Sequence, residues 1–501
     1  MLIQFLRLRS LFDSSVNSGY KYLMRLIMVW GDDHPGTENL FKTLEKNGHE
    51  VAYWVGLEGA RHFGPSDAIF QEHFTAWDGK PAKGYEKWMV PPSMSSIEEH
   101  YQLESRTLTM MNKRFDSLCV DERKHTYYQI LGYWSKVLDE IKPDAVLCPS
   151  LPHGIYNFML WELARERGIY TICYEEVWYL QRCIEFSDFW KGSEALRSAL
   201  RKNLEKGISF EDLSKESQVY LIEQRQKITA PAYMEVQRGY GEGWGLVRHR
   251  ARVFLRSLRS GNTIPLAWHF LRRRMKRDLR DEYRELSKTP DLSKPFVYFP
   301  LATQPERTTS PQGDIFHDQM LALQMLSRAL PEGWVIYAKE HPSQWWIRTK
   351  TRYNCVRYPG YYRELSSIPN VSLIPADTPN AGLIAASKVI STITGTPGWE
   401  AILRGKAPII FGIPWYRDCP GVLHVSSAEE CKDAFDRIQR GHGIKESDLY
   451  AYIRALEETT VDAYIEEHKG DTTSMRKTIP ESIRSLAEGM CVSLNRYSSG
   501  V

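Results

Sequence analysis

The sequence predicts an α/β protein in which two doubly wound domains face each other across a cleft. Its 501 residues are too many for a single hydrophobic core and are enough for two domains of ordinary size. Short apolar runs of strand length alternate with helical stretches on both sides of a polar, basic middle region. Strand, helix and strand with short joins form a βαβ unit, and such units build parallel sheets.

The first domain is predicted over residues 24–186, after an N-terminal extension of residues 1–23. Residues 25–30 form an apolar run of strand length, residues 39–47 have helical spacing, and Gly48 is a suitable stop for that helix. The other strands of this domain are predicted at 50–55, 143–148 and 169–174, and a second helix at 156–167.

Titratable side chains follow three of these strands. Asp33 and His34 come after the first strand, His153 after the third, and Glu175 and Glu176 at the end of the fourth. Ligands of open α/β sheets bind beyond the carboxyl ends of the strands. We therefore expect these side chains to meet at one mouth of the cleft.

A connecting region, residues 187–290, is predicted to be helical and basic. Arginine and lysine dominate between Arg248 and Arg280. A solvated helix face is one interpretation of this segment. The other is attraction to anionic lipid or to a polyanionic glycan, since clustered Lys and Arg near a membrane surface contribute about 1 kcal/mol each.

The second domain is predicted over residues 291–465, with residues 466–501 as a C-terminal tail. Residues 334–338 form a strand that delivers Lys339, His341 and Pro342 into a loop. The strands of this domain are predicted at 296–300, 334–338, 371–374, 388–392 and 407–411, and its helices at 319–330, 381–387 and after Gly398.

A glycine-rich loop follows the strand at 388–392. Small residues and Pro397 at a helix start leave backbone N–H groups to face an anion. Thr394, Gly395 and Thr396 would offer two hydroxyls and several amides to phosphate oxygens. The loop and its helix predict a phosphate subsite.

Several motifs of the second domain, taken in order, resemble the bacterial capsule polysaccharide biosynthesis and export family. They are Tyr298-Phe299-Pro300-Leu301, Gln304-Pro305-Glu306, Lys339-Glu340-His341-Pro342, Thr394-Gly395-Thr396-Pro397-Gly398-Trp399-Glu400-Ala401 and Gly405-Lys406. The resemblance is strong over about 120 residues of the second domain and looser over residues 25–185.

That family is similar to glycosyltransferases of the GT-B type, which have two Rossmann-like domains. The resemblance implies a glycosyltransferase that makes capsular or lipopolysaccharide glycan from a CMP- or UDP-linked sugar, with CMP-Kdo first, and needs no other cofactor. The implied partners are the nucleotide-sugar donor and a glycan or glycolipid acceptor. The alternatives are a CDP-polyol phosphotransferase or UDP-sugar epimerase on the same fold, and a non-catalytic export component.

The resemblance also implies roles for individual residues. The His341-Pro342 pair is similar to the one that holds the phosphate of a cytidine nucleotide in bacterial sialyltransferases, and Glu400 would accept hydrogen bonds from ribose hydroxyls. Arg307 and Lys339 complete the predicted donor site, since Arg307 could neutralise a diphosphate or a sugar carboxylate. The plainer interpretations are a structural loop histidine, a helix-terminus carboxylate and a loop ion pair.

Glycosyl transfer needs a base for the acceptor hydroxyl, or a carboxylate nucleophile in retaining enzymes. The predicted catalytic residues are Asp33, His34, His153, Glu175 and Glu306, and the sequence does not separate them. Asp32 and Asp33 lack the strand context of a DxD metal site, so a metal-independent reaction is predicted.

Composition excludes several other classes. The net charge of +3 is too small to indicate nucleic-acid binding, and no run approaches the roughly 20 apolar residues that span a bilayer. Eight cysteines without a CxxC pair favour buried free thiols in a reducing compartment. Because Arg7, Arg9 and Asp13 interrupt any signal-peptide core, we expect a cytoplasmic protein, located at the inner face of the membrane if the basic segment binds lipid.

Overall fold

The computed structural model describes residues 23–30, 34, 36–226, 251, 255, 279–345, 356–464 and 477–499. It confirms the predicted fold class, since two six-stranded sheets, each covered by helices, form two Rossmann-like domains. The strands of the first sheet are β1 (Arg25–Val29), β2 (Glu50–Gly56), β3 (Ile69–Glu72), β4 (Ala145–Leu147), β5 (Tyr170–Val177) and β6 (Arg182–Phe186). The strands of the second are β7 (Phe296–Pro300), β8 (Val335–Lys339), β9 (Val371–Leu373), β10 (Val389–Thr392), β11 (Ile409–Ile410) and β12 (Leu423–His424).

The α-helices of the described residues divide between the two halves of the chain. Those before the second sheet are α1 (Thr37–Lys46), α2 (His73–Trp77), α3 (Met94–Glu99), α4 (Tyr101–Met110), α5 (Val120–Ile141), α6 (Ile155–Glu166), α7 (Glu194–Lys206), α8 (Lys215–Gln226) and α9 (Leu279–Leu286). The later ones are α10 (Gln319–Ala329), α11 (Tyr361–Ser367), α12 (Asn380–Ala386), α13 (Thr396–Leu403), α14 (Ala428–Gln439), α15 (Glu446–Thr459) and α16 (Ile479–Ser498).

The two sheets share one strand order. The first runs β3-β2-β1-β4-β5-β6, and the second runs β9-β8-β7-β10-β11-β12. All neighbouring strands are parallel except β6, which pairs antiparallel with β5. In each sheet the strand order therefore reverses once. The reversal lies between the neighbouring strands β1 and β4 in the first sheet and between β7 and β10 in the second. Ligands of such sheets bind at this switch point, outside the carboxyl ends of the strands.

The central strands are apolar because helices cover both faces of each sheet. Every residue of β10 is buried, and so are four of the five residues of β1. Parallel strands buried on both faces are expected to form continuous apolar runs instead of alternating ones. This is why the central strands could be located from the sequence.

Three strands were not predicted, namely β3, β6 and β12. Each is the last strand at an edge of its sheet, so it pairs on one side only. Polar residues such as Gln71, Glu72 and Arg182 interrupt the apolar pattern in two of them. Edge strands of this kind are short and charged, which limits unwanted pairing with other chains and also hides them from a search for apolar runs.

The predicted C-terminal tail contains a 20-residue helix, α16, that packs on the first domain. Its buried residues include Ile483, Leu486 and Met490, which join a core cluster with Leu26 and Leu40. The last helix thus returns to the first strand of the chain and covers one face of its sheet.

The described part of the connecting region also packs against the second half of the chain. Helix α7 lies along α15, and both contribute to a core cluster that contains residues of the two domains. The arginine-rich segment at 248–280 lies almost wholly outside the described residues. Within the described part of the chain, no helix combines the length and the apolar character needed to cross a membrane.

Candidate active site

A cavity of about 490 Å³ lies between the carboxyl ends of the two sheets. Its walls come from the loops after β4 and β5 on one side and after β7, β8 and β10 on the other. Eleven of the thirteen predicted site residues line it: His153, Glu175, Glu306, Arg307, Lys339, His341, Pro342, Thr394, Gly395, Thr396 and Glu400. Asp33 lies outside the described residues. His34 is not among the residues that line the cavity. Its carbonyl accepts a hydrogen bond from Thr37 N–H at the start of α1.

The His341 imidazole is oriented by its own loop. Its Nδ1 accepts a hydrogen bond from the backbone N–H of Ser343 at 3.3 Å and lies 2.7 Å from the Ser343 hydroxyl. Because a neutral imidazole carries one proton, Nδ1 as an acceptor places the proton on Nε2. From these contacts we infer that Nε2–H is the donor that His341 can offer to an anion.

A buried ion pair fixes the loop that carries His341. Glu340 and Arg357 are almost fully buried, and Arg357 Nε lies 2.9 Å from Glu340 Oε2. The other oxygen of Glu340 accepts from the backbone N–H of His341 at 2.8 Å, and Tyr362 donates to Oε2 at 2.7 Å. Arg357 also donates to the side chain of Gln304 and so ties this loop to the loop after β7.

In the glycine-rich loop, two of the groups predicted to bind phosphate donate hydrogen bonds within the protein instead. The Thr394 hydroxyl donates to the carbonyl of Thr308 at 2.7 Å, and Gly395 N–H donates to Thr392 Oγ1 at 3.0 Å. Neither hydrogen is therefore directed to an anion in this arrangement. Thr396 keeps its hydroxyl on the cavity wall and provides the first backbone N–H of α13, where N–H groups have no intrahelical partner.

A close contact explains a glycine in the same helix. A Cβ at Gly398 would lie 2.2 Å from the Tyr416 hydroxyl oxygen, which donates to the carbonyl of Gly395 at 2.5 Å. Only glycine leaves room for this hydrogen bond. Tyr416 thereby holds the glycine-rich loop against the segment that follows β11.

Lys339 and Glu400 both line the donor half of the cavity. Burial lowers the pKa of Lys339 to about 8, and the negative charges of Asp377 and Glu400 oppose part of that shift. Its Nζ donates to the Thr378 carbonyl at 2.8 Å and to the side-chain oxygen of Asn380. An ammonium that donates and a carboxylate that accepts, both on this part of the wall, can bind an alcohol that does both, such as a ribose hydroxyl.

Glu175 is the buried carboxyl of the opposite wall. Gln312 Nε2 donates to its Oε1 at 2.9 Å, and Arg307 Nη2 lies 3.9 Å from the same oxygen. Burial raises the pKa of Glu175, and Arg307, Gln312 and Arg417 oppose part of that rise. A carboxyl with a raised pKa is a stronger base than an exposed one, as general-base catalysis requires.

His153 is a second titratable group on this wall. Its Nδ1 lies 2.8 Å from the carbonyl oxygen of Leu151, which can only accept a hydrogen bond. In the neutral ring, Nδ1 must therefore carry the proton, and Nε2 keeps a lone pair. Through Nε2, His153 can accept a proton, as the carboxylate of Glu175 can.

A segment of the second domain, residues 301–318, crosses to the first domain and completes the site. Arg106 donates to both carboxylate oxygens of Asp314, at 2.9 and 2.8 Å. The buried Lys113 Nζ donates to the carbonyls of His153 and Ser310, each at 2.7 Å. Glu306, Arg307 and Gln312 belong to this segment, so the two domains build one wall together.

Sequence reasoning missed four residues of the site region: Lys113, Gln312, Arg357 and Asn380. None of them follows a predicted strand directly. Lys113 and Gln312 meet their partners across the domain interface, and Arg357 pairs with a residue 17 positions away. The one available signal concerned Asn380, which precedes the helix predicted at 381–387 and comes six residues after the strand predicted at 371–374.

Across the described ranges, no group of three or more His, Cys, Asp or Glu residues is arranged to hold a metal ion. The metal-independent reaction remains a prediction.

The comparisons with known proteins agree with the predicted resemblance. Residues 256–446 match the family described as "Capsule polysaccharide biosynthesis protein", which confirms the resemblance over this part of the chain. No match was found among curated proteins.

Solved structures with similar architecture include two transferases and an epimerase. The chain is 12% identical to KpsC, a beta Kdo 2,7 transferase of Thermosulfurimonas dismutans, with 80% of this chain and 97% of that one covered and a TM-score of 0.33. The chain is 15% identical to KpsC, a beta Kdo 2,4 transferase of the same organism, with 62% of this chain and 79% of that one covered and a TM-score of 0.28. It is 11% identical to the UDP-GlcNAc 2-epimerase of Methanocaldococcus jannaschii, with 87% of this chain and 99% of that one covered and a TM-score of 0.24. Similarity at this level does not determine the activity of this chain.

Proposed function

Starting from the match of residues 256–446 to the capsule polysaccharide biosynthesis family, we propose that this protein is a glycosyltransferase of surface polysaccharide synthesis. It transfers a sugar from a nucleotide donor to a glycan or glycolipid acceptor. The observation that carries the proposal is the pairing, across one cavity, of an anion subsite on the second domain with a buried carboxyl on the first. Sugar transfer needs both, because the acceptor must lose a proton while the donor phosphate leaves.

The donor occupies the second domain in this proposal. His341 Nε2–H and the Thr396 N–H and hydroxyl bind the phosphate, and the positive end of α13 favours the negative charge. Glu400 and Lys339 bind the ribose. As the sugar departs, negative charge grows on the phosphate. The N–H and O–H groups around the phosphate therefore stabilise the transition state more than they stabilise the bound nucleotide sugar.

The acceptor enters against the first domain. Glu175 takes the proton from the attacking hydroxyl, and Arg307 and Gln312 hold the carboxylate in place. Glu175 is assigned as the base because it is the buried carboxyl of this wall, is held by Arg307 and Gln312, and has a pKa raised by burial. Glu306 lines the same cavity, and in this proposal its carboxylate accepts hydrogen bonds from acceptor hydroxyls.

The donor is proposed to be CMP-linked, with CMP-Kdo first. The support is the His341-Pro342 pair in its loop after β8, where the contacts of Nδ1 place the imidazole proton on Nε2. A UDP-sugar would use the same N-terminus of α13 and Glu400, so a comparison of nucleotides decides between the two classes of donor.

The experiment is a screen of CMP-Kdo, CDP-glycerol, UDP-GlcNAc and GDP-mannose for thermal stabilisation of the protein, followed by assay of nucleotide release. A ligand at 100 times its dissociation constant adds about 2.7 kcal/mol of stability, which is readily detected. We expect CMP-Kdo to stabilise the protein and to release CMP. UDP release without sugar transfer would favour an epimerase, and stabilisation by none of the four would contradict the proposal.

A further inference from the structure

We propose that Asn380 reads the base of the donor nucleotide and favours cytosine over uracil. This inference rests on the proposed function, because it assumes that a nucleotide fills the donor half of the cavity. Asn380 is the first residue of α12 and lines the cavity wall.

The orientation of the Asn380 amide is fixed by two neighbours. Lys339 Nζ donates to Oδ1, and the Tyr298 hydroxyl donates to the same oxygen at 2.9 Å. An ammonium group has no lone pair, so its partner must be the oxygen of the amide and not the nitrogen. The assignment of Oδ1 and Nδ2 therefore follows from chemistry, because turning the amide over would set its NH2 group against the Lys339 ammonium.

The amide nitrogen is left to face other groups. Tyr298 and Lys339 occupy the oxygen, and within the described residues Nδ2 makes no hydrogen bond. Asn380 is partly exposed on the cavity wall, so Nδ2 is accessible to a ligand. An amide nitrogen only donates, so the group that it recognises must carry a lone pair.

The position of Asn380 indicates which part of the nucleotide it meets. Its partners Lys339 and Tyr298 both lie within the electrostatic influence of Glu400, the predicted ribose-binding residue. The phosphate subsite at His341 and Thr396 is separate and already supplied with donors. The group that remains for Asn380 is the base attached to the ribose.

The pyrimidines differ at the ring nitrogen next to their shared carbonyl. In cytosine N3 is an acceptor, and in uracil N3 carries a hydrogen. A fixed N–H donor therefore pairs with N3 of cytosine and opposes N3–H of uracil. A site built to hydrogen-bond one of two analogues discriminates strongly, because the wrong one leaves a polar group unpaired.

The test is Asn380→Asp, studied by calorimetry with CMP, UMP and ribose 5-phosphate. Aspartate keeps an oxygen for Tyr298 and Lys339 and nearly the same volume, but it replaces the donor by an acceptor. We expect CMP to bind about tenfold more weakly or worse, ribose 5-phosphate to bind as in the wild type, and the preference for CMP over UMP to fall. Asn39→Asp, on α1 of the other domain, is the control for the change of charge.

Three results would overturn the inference. They are an unchanged affinity for CMP, an unchanged ratio between CMP and UMP, and equal losses for CMP and ribose 5-phosphate. The last would place Asn380 at the ribose or phosphate instead of the base. If the wild type bound none of the three compounds, the proposed function itself would fail, and the inference would fall with it.

Discussion

At the scale of single residues, burial decides the chemistry of the site. Lys339 and Glu175 lie on opposite walls of one cavity, and desolvation disfavours the charged form of each. The pKa of the lysine falls and that of the carboxyl rises. Both groups thus titrate closer to neutral pH than they would in water, which is typical of catalytic groups.

Glu175→Gln is expected to lower the rate of sugar transfer by about 100-fold or more while leaving CMP affinity unchanged, because it removes only the base. In the wild type the rate should rise as pH rises through the raised pKa of Glu175, since only the ionised carboxylate accepts a proton. The variant should lose that dependence. Initial rates from pH 4 to 8 measure both effects.

The burial of Glu175 also predicts how Glu175→Gln changes stability, which shows whether a loss of activity comes from unfolding. A carboxyl whose pKa is raised in the folded state stabilises the protein at low pH, and that contribution is lost as pH rises through the raised pKa. Near neutral pH, Glu175→Gln should therefore unfold at the wild-type temperature or above it. Glu185→Gln is the matched control, because Glu185 is part-buried with a raised pKa but bonds Tyr174 and Ser493 away from the cavity. Wild-type activity in Glu175→Gln would exclude the assigned role.

At the scale of elements, the sequence predicted the central strands of both sheets and one edge strand, β9, and missed the other three edge strands. The strands β1 and β7 were found because burial on both faces makes them largely apolar, and β10 was found from its buried Val389 and Ile390. The edge strand β3 was not found, because half of its pairing surface is open and its residues are mixed. Helix α16 was assigned to a tail, because no local pattern shows that its partner is the start of the chain.

The same argument applies to the site. His341 lies in the loop after β8, and Thr396 and Glu400 lie on the helix that follows β10, so the parallel sheet alone brings them together. Gln312 reaches Glu175 from 137 positions away, across the domain interface. Such a contact depends on how the domains dock, which periodicity does not encode.

Helix α16 is expected to hold the first domain together, although it is the last element of the chain. Leu486 is 2% exposed in a cluster with β1 and α1. Leu486→Ala should lower the free energy of unfolding by about 2 to 5 kcal/mol, as buried leucine truncations do. Val492, on the same helix, is 55% exposed, and Val492→Ala should have little effect. Denaturant titration of both variants decides whether α16 is structural, and equal stabilities would show that it is not.

At the scale of the whole molecule, two sheets with one strand order face a shared cavity, and the segment 301–318 joins them. Arg106 and Lys113 hold that segment to the first domain through Asp314 and Ser310. Because Glu175 and Arg307 meet only when the domains are together, domain docking assembles the proposed base.

The basic segment adds a proposal about where the molecule works. If Arg272, Arg273 and Arg274 meet anionic lipid, reversing their charges should release the protein from vesicles that contain phosphatidylserine. Binding of the wild type should also weaken as salt is raised, because surface electrostatic contacts are screened. Vesicle sedimentation measures both. The control reverses three exposed lysines of the first domain, Lys80, Lys83 and Lys87. Binding that ignores both salt and the arginine charges would contradict the proposal.

The most direct test of the central claim is calorimetric titration of the wild type and His341→Ala with CMP and UMP. His341 is predicted to donate Nε2–H to the nucleotide phosphate, so we expect CMP to bind the wild type more tightly than UMP and His341→Ala to lose most of the CMP affinity. His125→Ala, at an exposed histidine of the first domain, should bind CMP as the wild type does. Tighter binding of UMP, or full CMP affinity in His341→Ala, would contradict the account.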